Sequence, residues 1–156
     1  KRGADARCRW FPCRGALNSG GVDAARRREA ASKIYACRDK HGLRPLSIGR
    51  LGDGWVVSSE TCAFEVVGAE FVRDVAPGEV VIIDANGLQS VDYSKFKHYN
   101  MCAMEYVYFA RPDSDIENVN VHSFRKETGR MLYEEYPVDA DIVVGVADSS
   151  LSAAIG

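Results

Sequence analysis

The chain has 156 residues, 46% of them hydrophobic, enough for one ordinary domain or for parts of two. No apolar run approaches the roughly 20 residues of a membrane span, and Lys1-Arg2 do not lead into the apolar stretch of a secretory signal. The formal charge is −2 but unevenly spread: residues 1–30 hold eight basic and three acidic side chains, which leaves −7 on the rest.

A basic arm suits nucleic acid or an anionic membrane. This one has a single tight cluster, Arg26-Arg27-Arg28, and little aromatic interleaving, so neither partner is expected. The five cysteines (8, 13, 37, 62 and 102) are odd in number and irregularly spaced, with no C-x-x-C. Reduced cytoplasmic thiols are therefore expected, not a disulfide scaffold.

Residues 1–30 carry no sustained period of two or of 3.6 and read as a tail. Lys33 to Cys37 reads as a short strand, followed by a turn at Lys40-His41-Gly42. Leu46 to Ile48 and Trp55 to Val57 are apolar pieces joined by Gly52-Asp53-Gly54, a hairpin signal. Ser59 is placed to cap a short helix with Cys62, Ala63, Val66 and Val67 inward and Gly68 at its end. Phe71 to Val75 and Glu79 to Ala85 are strands on either side of a Pro77-Gly78 turn. Asn86-Gly87 predicts a type I′ turn, from which Leu88 to Val91 returns.

After Asp92 the pattern changes. DYSKFKHYN suits a connector. Val121 to Tyr136 reads as an amphipathic helix with Phe124, Thr128, Met131, Leu132 and Glu135 near one face, and Pro137 stops it. Ile142 to Val146 has the character of a buried parallel strand, and a last helix begins near Ser150. Helix, buried strand, loop, helix is how an α/β domain starts. MCAMEYVYFARPDS, Met101 to Ser114, then lies at a seam between a β-rich unit and an α/β unit.

Four segments, RDKHGLRPLSIGR, VVSSETCAFEVVGAEFVRDVAPGE, CAMEYVYFARPDS and VGVADSSLSAAIG, together resemble amidophosphoribosyltransferases. They run in order from about Ser32 to Gly156, about four fifths of the chain. The EYVYFARPDS continuation is the most specific, since other glutamine amidotransferases of the class share RDxxGxRPL without it. The resemblance implies an α+β part followed by an α/β part. Residues 32–98 would be the C-terminal part of an Ntn-hydrolase (class II glutamine amidotransferase) αββα sandwich. Residues 99–156 would be the interdomain segment and the start of a type I phosphoribosyltransferase domain. Residues 1–31 do not resemble the family; their Arg/Ala/Gly/Cys-rich text fits a disordered or frameshifted extension.

The implied activity of the parent is formation of 5-phosphoribosylamine from phosphoribosyl pyrophosphate and glutamine, the first committed step of purine synthesis. Purine nucleotides are the implied inhibitors, and a cytoplasmic homo-oligomer the implied assembly. The family's nucleophile is an N-terminal cysteine with its own amino group as base. Cys8 and Cys13 neither begin the chain nor precede the expected glycine, so no catalytic residue is assigned and this partial chain is expected to be inactive alone. The other reading is a non-catalytic module that binds a nucleotide or a protein partner.

Cys102 matches the first of four thiolate ligands of a [4Fe-4S] cluster in one branch of the family. The alternative is a small buried hydrophobe. Ser149, in VADSS, matches a Mg²⁺-associated serine, a hard oxygen donor on a loop that also suits anions. Asp148 and Ser149 can equally cap the last helix, and the two roles are compatible; Ala147 stands where many members have proline. Arg38, Asp39, Gly42, Arg44 and Pro45 form the RDxxGxRP element, read as a strand end, a turn and an Arg-Asp pair holding the sheet. Ser59 and Glu60 read as helix-start chemistry, and His41, His98 and His122 as surface or turn positions. Tyr106, Tyr108, Phe109 and Arg111 either exclude water along an ammonia path or pack an ordinary interface.

Overall fold

A computed structural model of the chain describes residues 33–95 and 98–156. The expected extension 1–31, with Cys8, Cys13 and the arginine cluster, lies outside the described residues, as do Phe96 and Lys97 of the connector. The chain divides into two compact units between Met101 and Cys102.

The first unit holds two three-stranded antiparallel sheets. One has β1 (Ile34–Cys37), β5 (Glu79–Asp84) and β6 (Gly87–Asp92), with β5 in the middle. The other has β3 (Gly54–Ser58), β2 (Ser47–Leu51) and β4 (Glu70–Asp74), with β2 in the middle. The core draws on both. Ala36, Val81 and Ile83 of the first sheet meet Ile48 of the second and the residues flanking its strands, Leu46 before β2 and Val75 after β4, with Ile34, Trp55, Val57 and Leu88 packed around them. Each such aliphatic side chain taken fully out of water contributes about 1.5–3 kcal/mol. The turn through Gly52 and Asp53 closes the β2–β3 hairpin as the sequence predicts.

The short helix α1 spans Cys62–Val67 and ends at Gly68, whose φ of 71° supplies the left-handed cap. Its inner face differs from the expected one. Cys62 and Phe64 are buried while Val66 is 70% exposed, and the N-cap is Thr61, not Ser59. Six residues are under two turns, too few for periodicity to fix a face. Bulk decides instead: the Phe64 ring lies over Gly49, where an added Cβ would stand 2.9 Å from it.

The β5–β6 hairpin forms, but not through the expected turn. Asp84 pairs with Gly87, so the loop residues are Ala85 and Asn86. Among the described non-glycine residues only Glu117 and Asn118 have positive φ. The turn is therefore not type I′. Asn86 donates its N–H to Asp84 Oδ1 (2.8 Å), and only Gly87, at φ 109°, takes a positive angle. The type I′ geometry occurs instead at Glu117-Asn118 (φ 49° and 63°), between the two-residue strands β7 (Asp115–Ile116) and β8 (Val119–Asn120).

The second unit also contains a π-helical turn at Glu105–Phe109, α2 (Val121–Glu135) and α3 (Leu151–Ile155). Asn120 caps α2 by accepting from Ser123 N–H at 3.0 Å. α3 packs on α2 where Gly129 leaves room: a Cβ there would fall 1.9 Å from the Ala153 carbonyl oxygen. Two expectations fail here. Val121 and Arg125 are the buried residues of α2, whereas Phe124, Met131 and Leu132 are 37%, 51% and 61% exposed. Ile142 to Val146 is not a strand: Ile142, Val143, Val144 and Val146 are 71–81% exposed. A parallel strand needs a neighbour to bond and a layer on each face. In this unit the described strands are only β7 and β8, already paired to each other.

One polar residue sits on the core side of the most apolar strand. Glu79 alternates inward with Val81 and Ile83 and is 2% exposed. Its carboxylate accepts from both terminal nitrogens of Arg73 on β4 (3.0 and 2.6 Å), from Ala76 N–H (2.6 Å) and from the Ser90 hydroxyl. Burial works to raise its pKa. The hydrogen bonds from Arg73, Ser90 and Ala76, with the Arg73 charge, outweigh that and hold it at about 2. Unfolded, the group titrates near 4.3. The stabilisation is thus present above that value and disappears as pH falls through it toward 2. Urea midpoints measured from pH 7 to pH 2 are expected to fall below about pH 5. Glu79→Gln is expected to lower the pH 7 midpoint and flatten the acid limb; an unchanged acid limb would refute the assignment.

Candidate functional site

The RDxxGxRP element folds inward on itself. Arg38, at the end of β1, is 1% exposed, and its guanidinium donates to three carbonyls: Arg44 (3.0 Å), Val75 (2.7 Å) and Gly42 (3.2 Å). Asp39 does not pair with it. The Asp39 carboxylate accepts from His41 N–H and Leu43 N–H, both at 2.9 Å, and its carbonyl accepts from Gly42 and Gly78. The expected Arg-Asp pair is thus replaced by two side chains that each hold backbone. Gly42 sits at φ 62°, and a Cβ there would stand 2.7 Å from Pro77 Cγ. Tyr93 donates to the Arg38 carbonyl at 3.0 Å. Burial first, then the neighbouring Cys37 and Asp39, push its phenol above the ordinary value. The connector docks on the same turn: His98 and Asn100 donate their N–H groups to Lys40 and His41, and the His41 and His98 rings lie 6.5 Å apart. The Arg38 guanidinium and the Asp39 carboxylate thus each hold several groups of this chain's own backbone.

In the second unit the thiol and the aromatics separate. Cys102 is half-buried, and its carbonyl accepts from Glu105 N–H at 3.0 Å. Met104, Val107, Tyr108 and Phe109 are 44–60% exposed, while Glu105 and Ala110 are buried. Tyr106 turns the other way: its ring lies 4.9 Å from Phe124 and its hydroxyl donates to the Ile116 carbonyl at 3.0 Å. Arg125 of α2 donates to the Tyr106 carbonyl (2.6 Å) and the Ala110 carbonyl (2.8 Å), fixing the π-helical turn by its backbone. Arg111 pairs with Asp113 within the ARPDS turn. Among the described residues no group of three His, Cys, Asp or Glu side chains is placed to hold a metal. A [4Fe-4S] cluster needs four sulfurs, and Cys102 offers one. The described residues do not make such a site by themselves.

Ser149 lies half-buried in the turn before α3. The N-cap is Ser150, whose side chain makes no cap bond and reaches back to the Val146 carbonyl. Neither Asp148 nor Ser149 is the cap. Among the described residues the Ser149 hydroxyl has no hydrogen-bond partner, which leaves a hard oxygen donor of the type Mg²⁺ takes. Behind it, His122 Nδ1 meets the buried Ser152 Oγ at 2.9 Å, joining the start of α2 to α3. Sequence reading assigned His122 to a turn or surface and gave Arg125, Glu79 and Arg73 no role. Arg125 had one signal, its position one turn after the buried Val121.

No family model matches the chain. Curated relatives do. It is 58% identical over 125 residues to amidophosphoribosyltransferase of Bacillus subtilis (strain 168), covering 80% of this chain and 26% of that protein. It is 54% identical over 123 residues to amidophosphoribosyltransferase of Mycobacterium bovis, covering 79% and 23%. Among solved structures, glutamine phosphoribosylpyrophosphate amidotransferase from B. subtilis complexed with ADP and GMP superimposes with a TM-score of 0.78 at 54% identity, over 80% of this chain and 27% of that one. A structure described as the allosteric regulatory enzyme of purine biosynthesis matches equally. The resemblance read from the motifs holds: over four fifths of its length the chain is a relative of the amidophosphoribosyltransferases, and it spans about a quarter of theirs.

Replacing Arg38 would leave three carbonyls facing an apolar gap. Arg38→Met is expected to cost about 3 kcal/mol or more in chemical denaturation, since each orphaned buried acceptor costs about 1–3 kcal/mol. Arg38→Lys is expected to recover only part, because an ammonium cannot span three acceptors in one plane. A loss under about 1 kcal/mol for Arg38→Met would show that water replaces the guanidinium.

Proposed function

We propose that this chain is a portion of an amidophosphoribosyltransferase, the enzyme that aminates phosphoribosyl pyrophosphate with ammonia taken from glutamine. In this reading residues 32–98 complete an Ntn-hydrolase glutaminase sandwich, and residues 99–156 connect it to, and begin, a type I phosphoribosyltransferase domain. The observation that carries the reading is the 58% identity to the B. subtilis enzyme, spread over both units. A two-sheet antiparallel unit followed by a helical one is in keeping with it.

This chain's residues contribute scaffolding to that reaction. Arg38 and Asp39 hold the last part of the glutaminase, Arg125 holds the aromatic turn, and His122 with Gly129 holds α3 under the Ser149 loop. Ser149 would give one oxygen to Mg²⁺, which when bound neutralises the pyrophosphate leaving group. Cys102 would give one thiolate to a [4Fe-4S] cluster whose other ligands lie elsewhere in the parent. Met104, Val107, Tyr108 and Phe109 offer apolar surface that would exclude water from the path of ammonia. The Ile142–Val146 run would pair as an inner parallel strand once the rest of the transferase sheet is present. The ADP and GMP bound by the B. subtilis relative point to purine nucleotides as regulators. Assembly into a cytoplasmic homo-oligomer completes the proposal.

A chimera tests it. Residues 33–156 are exchanged for the matching segment of the B. subtilis enzyme, and glutamine-dependent phosphoribosylamine formation is measured. Activity within about tenfold of the parent is expected, a barrier change of about 1.4 kcal/mol. A folded chimera without activity would overturn the reading. In the chimera, Cys102→Ser is expected to lower bound iron, and Ser149→Ala to raise the Mg²⁺ concentration needed for half-maximal rate. The isolated chain is expected to form no phosphoribosylamine.

A further inference from the structure

Helix α2 is tied at its start to the ARPDS turn and along its side to α3. The first amides of a helix have no partner within it. Here Val121 N–H donates to the Ser114 carbonyl at 3.0 Å, and His122 N–H to the Pro112 carbonyl at 2.9 Å. The His122 ring then reaches α3, where its Nδ1 lies 2.9 Å from Oγ of the buried Ser152. One residue thus grips the ARPDS backbone with its own amide and α3 with its side chain. The two helices also meet backbone to backbone: a Cβ on Gly129 would overlap the Ala153 carbonyl, and one on Gly156 the Lys126 carbonyl. Such contact sets a distance but lets a helix of five residues slide or turn. A hydrogen bond between two particular atoms, with its narrow range of length and angle, removes that freedom.

We infer that His122 is a positioning residue that ties the Ser149 loop to the ARPDS turn. The backbone between Ser149 and Ser152 has little slack. Ser150 N–H donates to the Val146 carbonyl (3.3 Å), Leu151 N–H to the Asp148 carbonyl (3.3 Å) and Ala154 N–H to the Ser150 carbonyl (2.9 Å). By holding Ser152, His122 therefore holds Ser149. A serine hydroxyl both donates and accepts, so the bond forms with either neutral tautomer of the imidazole. His122 has this role on the reading, given above, of Ser149 as an oxygen donor to Mg²⁺, and it acts on the ion only through the loop. Groups that orient a ligand in this way are costly to remove, typically about 10–100-fold in metal affinity or activity. The same bonds make the ARPDS turn and the Ser149 loop one mechanical piece, so a displacement of the turn carries the loop with it.

Two substitutions separate the bond from the bulk of the ring. His122→Phe keeps the ring and loses the nitrogen, whereas His122→Asn keeps a polar atom near the place of Nδ1 and loses the ring. Each is made in the purified chain and in the B. subtilis chimera. In the chain, amide exchange read by NMR is expected to quicken severalfold at Leu151 and Ala154 in His122→Phe, with the amides of β5 unchanged. His122→Asn is expected to stay near the parent rates. In the chimera, ammonia serves as the nitrogen donor, so that glutamine hydrolysis plays no part. There His122→Phe is expected to raise the Mg²⁺ concentration for half-maximal rate about tenfold or more, with little change in kcat at saturating Mg²⁺, and His122→Asn to restore most of the response. Unchanged exchange at Leu151 and Ala154 in His122→Phe would overturn the inference, as would an unchanged Mg²⁺ requirement or two variants that behave alike. A chimera inactive before either substitution would sink the reading of the parent instead, and the exchange rates alone would then decide whether His122 holds the loop.

Discussion

Each unit holds a buried guanidinium that donates to several backbone carbonyls. Arg38 gathers carbonyls from the turn after β1 and from the residue after β4. Arg125 gathers two from the π-helical turn. A buried charge is tolerable only when its hydrogen-bonding capacity is met. Five N–H donors in a rigid fork can meet several carbonyls at once. The consequence is geometric: the loops cannot drift without leaving a charge unsolvated. Both turns carry motif residues, so the residue types that mark this chain as a relative of the amidophosphoribosyltransferases are in part those that hold its irregular backbone.

The strands of the first unit were legible because each is short, apolar and bounded by Gly, Pro or Asp. The β2–β3 hairpin and the αL cap at Gly68 follow directly from residue type. The Asn86-Gly87 dipeptide misled because its geometry depends on register. With Asp84 opposite Gly87, glycine falls after the loop, and a local Asp84–Asn86 bond replaces the mirror-image turn. The true type I′ turn uses Glu117-Asn118, where only asparagine has the usual preference. The face of α1 was illegible because six residues do not define a stripe.

The second unit was harder for a different reason. Helix α2 was plain from its period and from Pro137, but which face it buries depends on what lies against it. Beside Val121, two of its inward contacts are made by Arg125 and Gly129, through a charge and an absent side chain, neither of which a hydrophobic pattern reports. Ile142 to Val146 reads as a strand by composition, yet a strand is a property of a pair. Of the candidate site, the positions of Cys102 and Ser149 came from resemblance to a family, not from periodicity. The bonds around them, such as His122 to Ser152, join residues far apart in sequence and leave no local trace.

Glu79 bears on how the first sheet finds its alignment. β5 reads EVVIID, and its two faces are almost equally apolar: Val81 and Ile83 on one side, Val80 and Ile82 on the other. A slip by one residue against β1 or β6 would exchange aliphatic for aliphatic, so oil-and-water preference barely distinguishes the two pairings. The carboxylate does distinguish them, since only one alignment carries it to Arg73 on the opposing sheet. In the other it would reach solvent and strand the arginine. A charged residue in the greasiest strand thus acts as the strand's index mark, fixing which of two near-equivalent faces becomes the inside.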